Sequence, residues 1–375
     1  MKSLTQTKVD NPAFEYVFPA IRGIQARREY YISMCPVRLI PKLFLFDEEE
    51  ITPELRAQRT LNKSRVPEIA RYIVGNRDNY IFSALTASID SNVRFEPLGS
   101  GAEGSRMGLL RVPMSAKFVI NDGQHRRAAF EVALRENSDL GDETVAIVFF
   151  LDIGLQRCQQ MFADLNRYAV RPSKSIGVLY DHRDTAAGLA RLVVARSPIF
   201  REVVEMERST LSLRSRKLFT LSAIYHACAA LLGGSTDTDI ETQSNLAVEF
   251  WDEVSQQLPE WKLVRDRKMT AGEVRAEFIH SHGIVLQAIG KAGRDLMREV
   301  PKQWKTRLKL LKTVDWSRSN AKQWEGRATV GGRLSKSEQN IVLTTNVIKT
   351  VLKLPLTPEE RRFESALRRG PNAAD

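Results

Sequence analysis

The chain has 375 residues, of which 43% are hydrophobic and 27% charged, a balance that allows two globular domains or three. It contains no apolar run near the roughly 20 residues that cross a bilayer, and its first residues lack an apolar signal segment. We therefore expect a cytoplasmic protein without a membrane partner. A formal net charge of +11 points to nucleic acid or another polyanion.

The first third of the chain alternates short apolar runs with helical spacing. Tyr30 begins a strand, and two prolines favour edge or irregular structure over residues 37–46. Ser64 suits the N-cap of a helix that Gly75 ends. Glycines predict a loop over residues 92–108. Strands are predicted over residues 81–89, 109–112, 117–120 and 145–151, the second and third of them paired as a hairpin.

The sharpest chemical signal follows the strand predicted at residues 117–120. Turn residues stop that strand, and helical spacing begins at once after them. Free backbone N–H groups and two guanidiniums in a first helical turn favour an anion, most naturally phosphate. The competing interpretation is that both arginines point into solvent or pair with carboxylates elsewhere. The residues of this turn are Asp122, Gly123, Gln124, His125, Arg126 and Arg127.

The first five of these residues match the signature of the DGQHR-domain family, whose best-known branch is the DNA sulfur modification family DndB. The strand, turn and helix also resemble the ParB/sulfiredoxin fold, which binds CTP in ParB and ATP in sulfiredoxin at this turn. The resemblance implies ATP or CTP with Mg²⁺ here, with Asp122 or Asp164 as candidate metal ligands. Gln124 stands where sulfiredoxin carries its catalytic cysteine, so sulfiredoxin chemistry is excluded. The chain has no Walker A sequence, so any nucleotide site is not of the P-loop type.

Residues 162–167, followed by residues 171–175, resemble a second conserved block of the DndB family. In ParB the corresponding helix bears an Asn and an Arg that help to hold the nucleotide. The resemblance therefore adds Asn166, Arg167 and Lys174 to the candidate nucleotide-binding residues. The alternative is a capped helix end with solvated charges, which is favoured slightly for Lys174.

Two basic regions are candidates for contact with double-stranded DNA. The first is the hydroxyl-rich stretch 208–217, with Arg208, Arg214, Arg216 and Lys217. The second is residues 301–354, which hold 12 Lys or Arg against three acids and from which Lys305, Lys309 and Lys312 are selected. Tryptophans are interleaved there, and residues 314–324 resemble the tail block of DGQHR proteins. The competing account places solvated charges around a tryptophan core.

Histidine and cysteine usage gives further expectations. His280 and His282 lack acidic or cysteine partners at ligand spacing, so we take them as structural and expect no structural metal. Cys158 and Cys228 fall on apolar helix faces and should be buried. Cys35, beside a proline and near an arginine, is the thiol that we expect to be reactive and open to redox control.

These patterns predict an α/β (α+β) protein. A ParB/sulfiredoxin-like DGQHR domain would occupy residues 1–180, a helical connection residues 181–232 and a helical, basic domain residues 243–368, with a linker before the last. Trp251 and Trp261 are core candidates of that domain.

Two functions remain open. The first is a DndB-like, DNA-binding negative transcriptional regulator of DNA phosphorothioation, whose DNA binding is gated by a nucleotide. Its expected partners are other phosphorothioation proteins and a second copy of the chain. The second is an enzyme of the same modification system that binds or hydrolyses a nucleoside triphosphate.

Overall fold

The computed structural model describes residues 14–44, 64–151, 160–161, 164–165, 172–233 and 239–369. The chain divides into two compact units, residues 1–170 and 171–375, and each has its own hydrophobic core. Helices make up 50% and strands 20% of the structure, which confirms the predicted α/β class. Within the described ranges, no helix is both long and apolar enough to span a membrane.

The first unit is a seven-stranded mixed sheet with helices packed on it. The strands are β1 (Glu15–Gln25), β2 (Arg28–Pro36), β3 (Leu85–Asp90), β4 (Arg94–Pro97), β5 (Met107–Pro113), β6 (Lys117–Asp122) and β7 (Thr144–Leu151). They lie in the order β4-β5-β1-β2-β7-β3-β6, and β3 and β7 pair in parallel while the other neighbours are antiparallel. The helices are α1 (Ile40–Leu43), α2 (Arg65–Gly75) and α3 (Gln124–Glu136), with 3-10 turns at Val37–Leu39 and Ser138–Asp142.

Alternation along the strands decides which face of the sheet is buried. Phe18 of β1 and Tyr31 of β2 point into the core with the apolar faces of α2 and α3. β1 and β2 are joined by Ala26 and Arg27, both with positive φ, as a two-residue hairpin turn requires. The predicted helix ending at Gly75 and the predicted strand at residues 145–151 are both confirmed.

The hairpin predicted between residues 109–112 and 117–120 is wrong. Both strands exist, but β5 pairs with β1 and β4, whereas β6 pairs with β3. The short link between β5 and β6 suggested a local pairing, but each strand buries its apolar residues beside a partner that is distant in sequence. The predicted loop at 92–108 also contains β4, and the strand predicted from residue 81 begins at Leu85.

The expectation of a reactive Cys35 is wrong as well. Cys35 lies on β2 with no exposed surface, and burial raises the pKa of its thiol to about 12. A thiol in that environment stays protonated and inert near neutral pH. Cys228 is buried, as predicted, and Cys158 lies outside the described residues.

The second unit is helical. Its longest helices include Leu221–Leu232, Ile240–Ser255, Gly283–Glu299 and Glu338–Val351, and the first and third of these pack against each other in its core. Trp251 and Trp261 are fully buried, as predicted. The helices are α4 (Lys174–Tyr180), α5 (Thr185–Arg196), α6 (Leu221–Leu232), α7 (Ile240–Ser255), α8 (Pro259–Arg265), α9 (Ala271–Glu277), α10 (Gly283–Glu299), α11 (Trp304–Leu308), α12 (Ala321–Trp324), α13 (Glu338–Val351) and α14 (Pro358–Arg369). Two short strand pairs, β8 (Val204–Glu205) with β9 (Phe219–Thr220) and β10 (Thr329–Val330) with β11 (Arg333–Leu334), complete it.

Candidate functional site

The predicted strand, turn and helix form as expected at residues 117–136. β6 ends at Asp122, and Gly123 is the N-cap of α3 with φ of 106°. A Cβ atom at Gly123 would collide with the side chain of Leu85, so both the left-handed backbone and the close packing require glycine. Because the N-cap is glycine, it offers no capping side chain. The first helical hydrogen bond runs from Arg127 N–H to the Gly123 carbonyl, which leaves the N–H groups of the preceding residues at the turn.

Arg126 is turned inward rather than toward solvent, with 13% of its side chain exposed. Its guanidinium donates to the carbonyl of Ser83, to Ser83 Oγ at 2.7 Å and to the Ala84 carbonyl at 3.2 Å. It also donates to Asp122 Oδ2 at 2.6 Å. This side chain therefore ties the first turn of α3 to the residues that lead into β3.

Arg127 is also engaged by protein acceptors. Its guanidinium donates to the Phe44 carbonyl at 2.9 Å, to the Pro41 carbonyl at 3.3 Å and to Glu131 Oε2 at 2.7 Å. Only 8% of the residue is exposed. Both arginines thus pair with carboxylates, as the competing interpretation expects, and both also donate to backbone carbonyls. An anion at this turn would therefore be bound mainly by backbone N–H groups.

Among the described residues, two buried amide atoms beside the turn have no hydrogen-bond partner. Asn121 donates through Nδ2 to Ser88 Oγ at 2.7 Å, but its Oδ1 atom finds no hydrogen-bond partner in the part of the chain that the structure describes. The same holds for Nε2 of Gln124. Unpaired buried polar atoms are costly, so an acceptor from Asn121 and a donor from Gln124 are available to a ligand.

His125 stands next to Gln124 in the first turn and is half-buried. Burial lowers its pKa, with a further lowering from the charge of Arg65 and an opposing effect of Asp122. A histidine with a lowered pKa is neutral at pH 7 and can donate or accept one hydrogen bond at each ring nitrogen.

The candidate metal ligands do not form a cluster in the described residues. Asp122 is occupied by Arg126, and Asp164 accepts a hydrogen bond from Gln160 at 2.8 Å on the surface. No group of three or more His, Cys, Asp or Glu that could hold a metal ion is found among these residues. Asn166 and Arg167, the candidates from the second conserved block, lie outside the described residues.

Lys174 belongs to the second compact unit, whereas the DGQHR turn belongs to the first. It is the first residue of α4, exposed, and preceded by Ser173, whose hydroxyl caps the helix. The side chain of Ser175 donates to the carbonyl of Arg208 at 2.9 Å, so the start of α4 is attached to the basic stretch.

The basic stretch 208–217 is a loop of defined shape. Arg275, only 7% exposed, donates to the carbonyls of Ser212 at 2.6 Å and of Lys217. Gly272 lets α9 approach the carbonyl of Leu213, because a Cβ atom there would collide with it.

The charged side chains of this loop differ in their surroundings. Arg208, Arg214 and Arg216 are exposed and form no ion pair within the described ranges. Lys217 is half-buried and donates to the Glu202 carbonyl at 2.7 Å. Three of the four candidates on this loop therefore present guanidiniums to solvent.

The charge of residues 301–354 is partly neutralised by acids from other segments. Lys349 is buried and pairs with Asp295 at 2.9 Å and Glu360 at 2.7 Å, and Lys305 pairs with Glu249. Lys309 and Lys312 are exposed at the 3-10 turn Lys309–Thr313, without an ion pair in the described part of the chain.

The tryptophans of this region are mainly core residues. Trp324 has no exposed surface and Trp316 only 6%, and their rings stack with centroids 5.5 Å apart. Trp304 is partly exposed and packs against Phe250. These rings stabilise the helical unit and are not a platform for stacking bases.

The histidines at 280 and 282 have structural surroundings. His280 Nδ1 accepts from Trp261 Nε1 at 2.9 Å, and its Nε2 lies 3.2 Å from Glu260. His282 Nε2 lies 2.9 Å from the carbonyl of Arg275.

Sequence reasoning missed three residues that shape these sites. Asn121 was assigned to the turn only, Arg275 shapes the basic loop from α9, and Lys336 lies beside the start of α10. An arginine inside a helix with apolar neighbours was a weak signal for Arg275. Lys336 gave no signal, because its surroundings come from distant segments.

The class that this geometry defines is a basic, two-unit α/β protein with a glycine-capped helix after the edge strand β6. A family model described as DndB, DNA-sulfur modification-associated, matches residues 18–355, which cover most of the chain. The chain belongs to the DndB family and thereby to the context of DNA sulfur modification. No curated protein and no solved structure matches it significantly, so the likeness to ParB and sulfiredoxin stays a prediction.

Proposed function

We propose that the protein is a DNA-binding negative transcriptional regulator within the DNA-sulfur modification system, acting alongside other phosphorothioation proteins. The observation that carries this proposal is the basic loop 208–217, whose three exposed arginines are held on a fixed backbone. Guanidiniums without acidic partners are the groups that neutralise backbone phosphates of duplex DNA. Lys309 and Lys312 are the further candidates in the same unit.

The fixed shape of the loop supports this function. Carbonyls of Ser212 and Lys217 are held by the buried Arg275, so the loop does not have to be ordered when DNA binds. Preorganisation of this kind lowers the entropic cost of association. The exposed Leu213, with 73% of its surface accessible, lies between the arginines and adds an apolar contact for sugar or base.

Salt dependence tests the proposal. If Arg208, Arg214, Arg216, Lys309 and Lys312 contact roughly five phosphates, the log–log slope of affinity against salt should be about −4 to −5, at about −0.9 per contact. Arg214→Ala and Arg216→Ala should each flatten the slope by about one unit. Fluorescence anisotropy with a promoter fragment and a scrambled duplex measures both slope and sequence preference.

Lys305→Ala is the matched control, because Glu249 already neutralises Lys305. It should leave the slope unchanged. A flat salt response of the wild type, or equal effects of Lys305→Ala and Arg216→Ala, would contradict the assignment of the loop.

A second candidate function is favoured by two buried amide atoms, Oδ1 of Asn121 and Nε2 of Gln124, which have no hydrogen-bond partner among the described residues. A donor and an acceptor beside the N-terminus of α3 suit a nucleoside phosphate, with the phosphates at the N–H groups of the turn and the base or ribose at the two amide atoms. Such a ligand would gate DNA binding or be hydrolysed, with Mg²⁺ accompanying ATP or CTP.

Calorimetric titration with ATP, CTP and GTP in the presence of Mg²⁺ tests this second function. Gln124→Leu should weaken the binding of the preferred nucleotide by about tenfold, since it removes one hydrogen bond of about 1.4 kcal/mol. If the wild type binds none of the three nucleotides, the gate does not exist.

A further inference from the structure

A second group of cations lies at the start of the helical unit's central helices. Ser175 Oγ accepts a hydrogen bond from Ser222 N–H at 3.3 Å, which joins the beginning of α4 to that of α6. A Cβ atom at Gly283, the first residue of α10, would lie 3.4 Å from Ala223 Cβ of α6. The first residues of α4, α6 and α10 therefore converge.

Three titratable side chains face this point. A Cβ atom at Gly283 would lie 3.8 Å from Lys336 Nζ, so the ammonium of Lys336 is next to the first turn of α10. Lys174 begins α4, and His226 lies one helical turn beyond Ser222 on α6. We call the two lysines, Lys174 and Lys336, the cation cluster, beside which His226 lies.

The cluster has no acid to balance it in the described residues. Neither Lys174 nor Lys336 forms an ion pair there. Burial, together with the charges of Lys336 and then Lys174, lowers the pKa of His226 to about 4. Desolvation, followed by the charge of Lys174, also lowers the pKa of Lys336. The lowered pKa values of His226 and Lys336 indicate a positive electrostatic potential, which a bound anion would reduce.

The N-terminus of α10 adds to that potential. α10 has 17 residues, and its N-cap His282 makes no side-chain capping bond. Its ring is directed instead to the carbonyl of Arg275. Ser281, just before the cap, is 4% exposed, and its hydroxyl finds no hydrogen-bond partner among the described residues. The N–H of Val285 already donates to the His282 carbonyl at 2.9 Å. The donors offered to a phosphate oxygen at this end of α10 are therefore the N–H groups of its first two residues, Gly283 and Ile284, and the Ser281 hydroxyl.

We propose that the cation cluster and the first turn of α10 form a binding site for a phosphoryl group. The two lysines supply charge, and the helix N-terminus and Ser281 supply directed hydrogen bonds. The phosphoryl group comes either from a small phosphate compound or from the backbone of DNA, and these sources differ in what competes for the site. This site lies within the second compact unit and does not require the basic loop 208–217 to contact DNA.

Lys336→Met and Lys174→Met test the site, and Lys302→Met, an exposed lysine elsewhere in the unit, is the matched control. The probes are inorganic phosphate, pyrophosphate and a short DNA duplex. Losing one charge-assisted contact should weaken binding of the relevant probe about tenfold. Each cluster variant should melt at the wild-type temperature or above it without anion, because it relieves repulsion between the lysines.

Each outcome decides something. If both cluster variants weaken the binding of phosphate or pyrophosphate and Lys302→Met does not, the site binds a small phosphate compound. If the salt slope of duplex affinity flattens by about one unit in the cluster variants but not in Lys302→Met, the site binds the DNA backbone. No difference between the cluster variants and Lys302→Met overturns the proposal. So does a clear loss of melting temperature in both cluster variants, which would give the lysines a structural role.

The basic-loop proposal is judged separately, by Arg214→Ala and Arg216→Ala. A duplex that responds to the loop variants but not to the cluster variants rejects this site alone. The reverse result rejects the loop alone.

Discussion

Arg126 lies in the first turn of α3, and 13% of its side chain is exposed. From the sequence, a guanidinium in the first turn of a helix opposes the macrodipole and therefore suggests an anion. In the structure, the carbonyls of Ser83 and Ala84 and the carboxylate of Asp122 surround it. These acceptors compensate the charge within the protein, so the anion-binding capacity of the turn depends on its backbone N–H groups.

We expect Arg126→Ala to destabilise the first unit. It removes a largely buried guanidinium and leaves two carbonyls and a carboxylate without their donor, which costs roughly 2–3 kcal/mol. Urea unfolding followed by fluorescence measures the change. Arg135→Ala on the same helix is the control, because that side chain is 74% exposed and its pair with Glu131 should contribute less than about 1 kcal/mol. A variant that unfolds like the wild type but loses nucleotide affinity would instead make Arg126 a ligand.

At the scale of elements, local sequence signals were sufficient to predict where helices end and where the chain turns. They were not sufficient to predict which strands pair across long stretches of sequence. The helix end at Gly75 and the turn at Gly123 follow from residues adjacent in sequence, so their positions could be predicted. The partners of β5 and β6 depend on β1 and β3, which pattern alone does not identify. The same limit applies to the site: the turn was predictable, whereas the acceptors around Arg126 come from residues 83 and 84.

Helix packing gives a prediction at this scale. Gly290 lies where α10 touches α6, and a Cβ atom there would collide with the Ala227 carbonyl. Gly290→Ala should therefore destabilise the helical unit by about 1–3 kcal/mol, since backbone cannot move aside cheaply. Thermal and urea unfolding measure this change.

Gly188→Ala in α5 is the contrasting control. A Cβ atom there would meet only ordinary contacts, 3.5 Å from Ile240 and 3.7 Å from Arg191, and alanine favours the helix by up to about 1 kcal/mol. The two substitutions should thus have opposite signs. Equal stabilisation by both would show that α6 and α10 are not packed as closely as described.

For the whole molecule, the distribution of charge along the sequence does not show where positive charge is available to a partner. Residues 301–354 carry most of the formal +11, yet Lys349 and Lys305 are paired with acids from other segments. The unbalanced cations include the loop arginines and the cation cluster, which are spread along the second unit. Folding therefore neutralises part of the charge of residues 301–354, and composition alone could not show which cations stay unpaired among the described residues.

Acid should destabilise the molecule through its histidines. Of the five histidines, His226 and His282 have pKa values lowered to about 4, in both cases mainly by burial. The charges of Lys336 and Lys174 contribute to the lowering for His226. Those of Arg318 and Arg275 contribute for His282. Burial also lowers the pKa of His125 and His280. Between the unfolded value of about 6.5 and a folded value near 4, only the unfolded chain binds these protons, so stability falls as pH falls.

From pH 7.5 to 5.5 the loss should be roughly 1 kcal/mol for each of His226 and His282. Urea unfolding at pH 7.5, 6.5 and 5.5 measures it, in a window above the range in which carboxylates titrate. His282→Gln should remove about one histidine's share of the pH dependence, whereas His182→Gln, at an exposed position, serves as the control. A free energy of unfolding that does not change over this window would mean that these histidines take up protons in the folded protein as readily as in the unfolded chain.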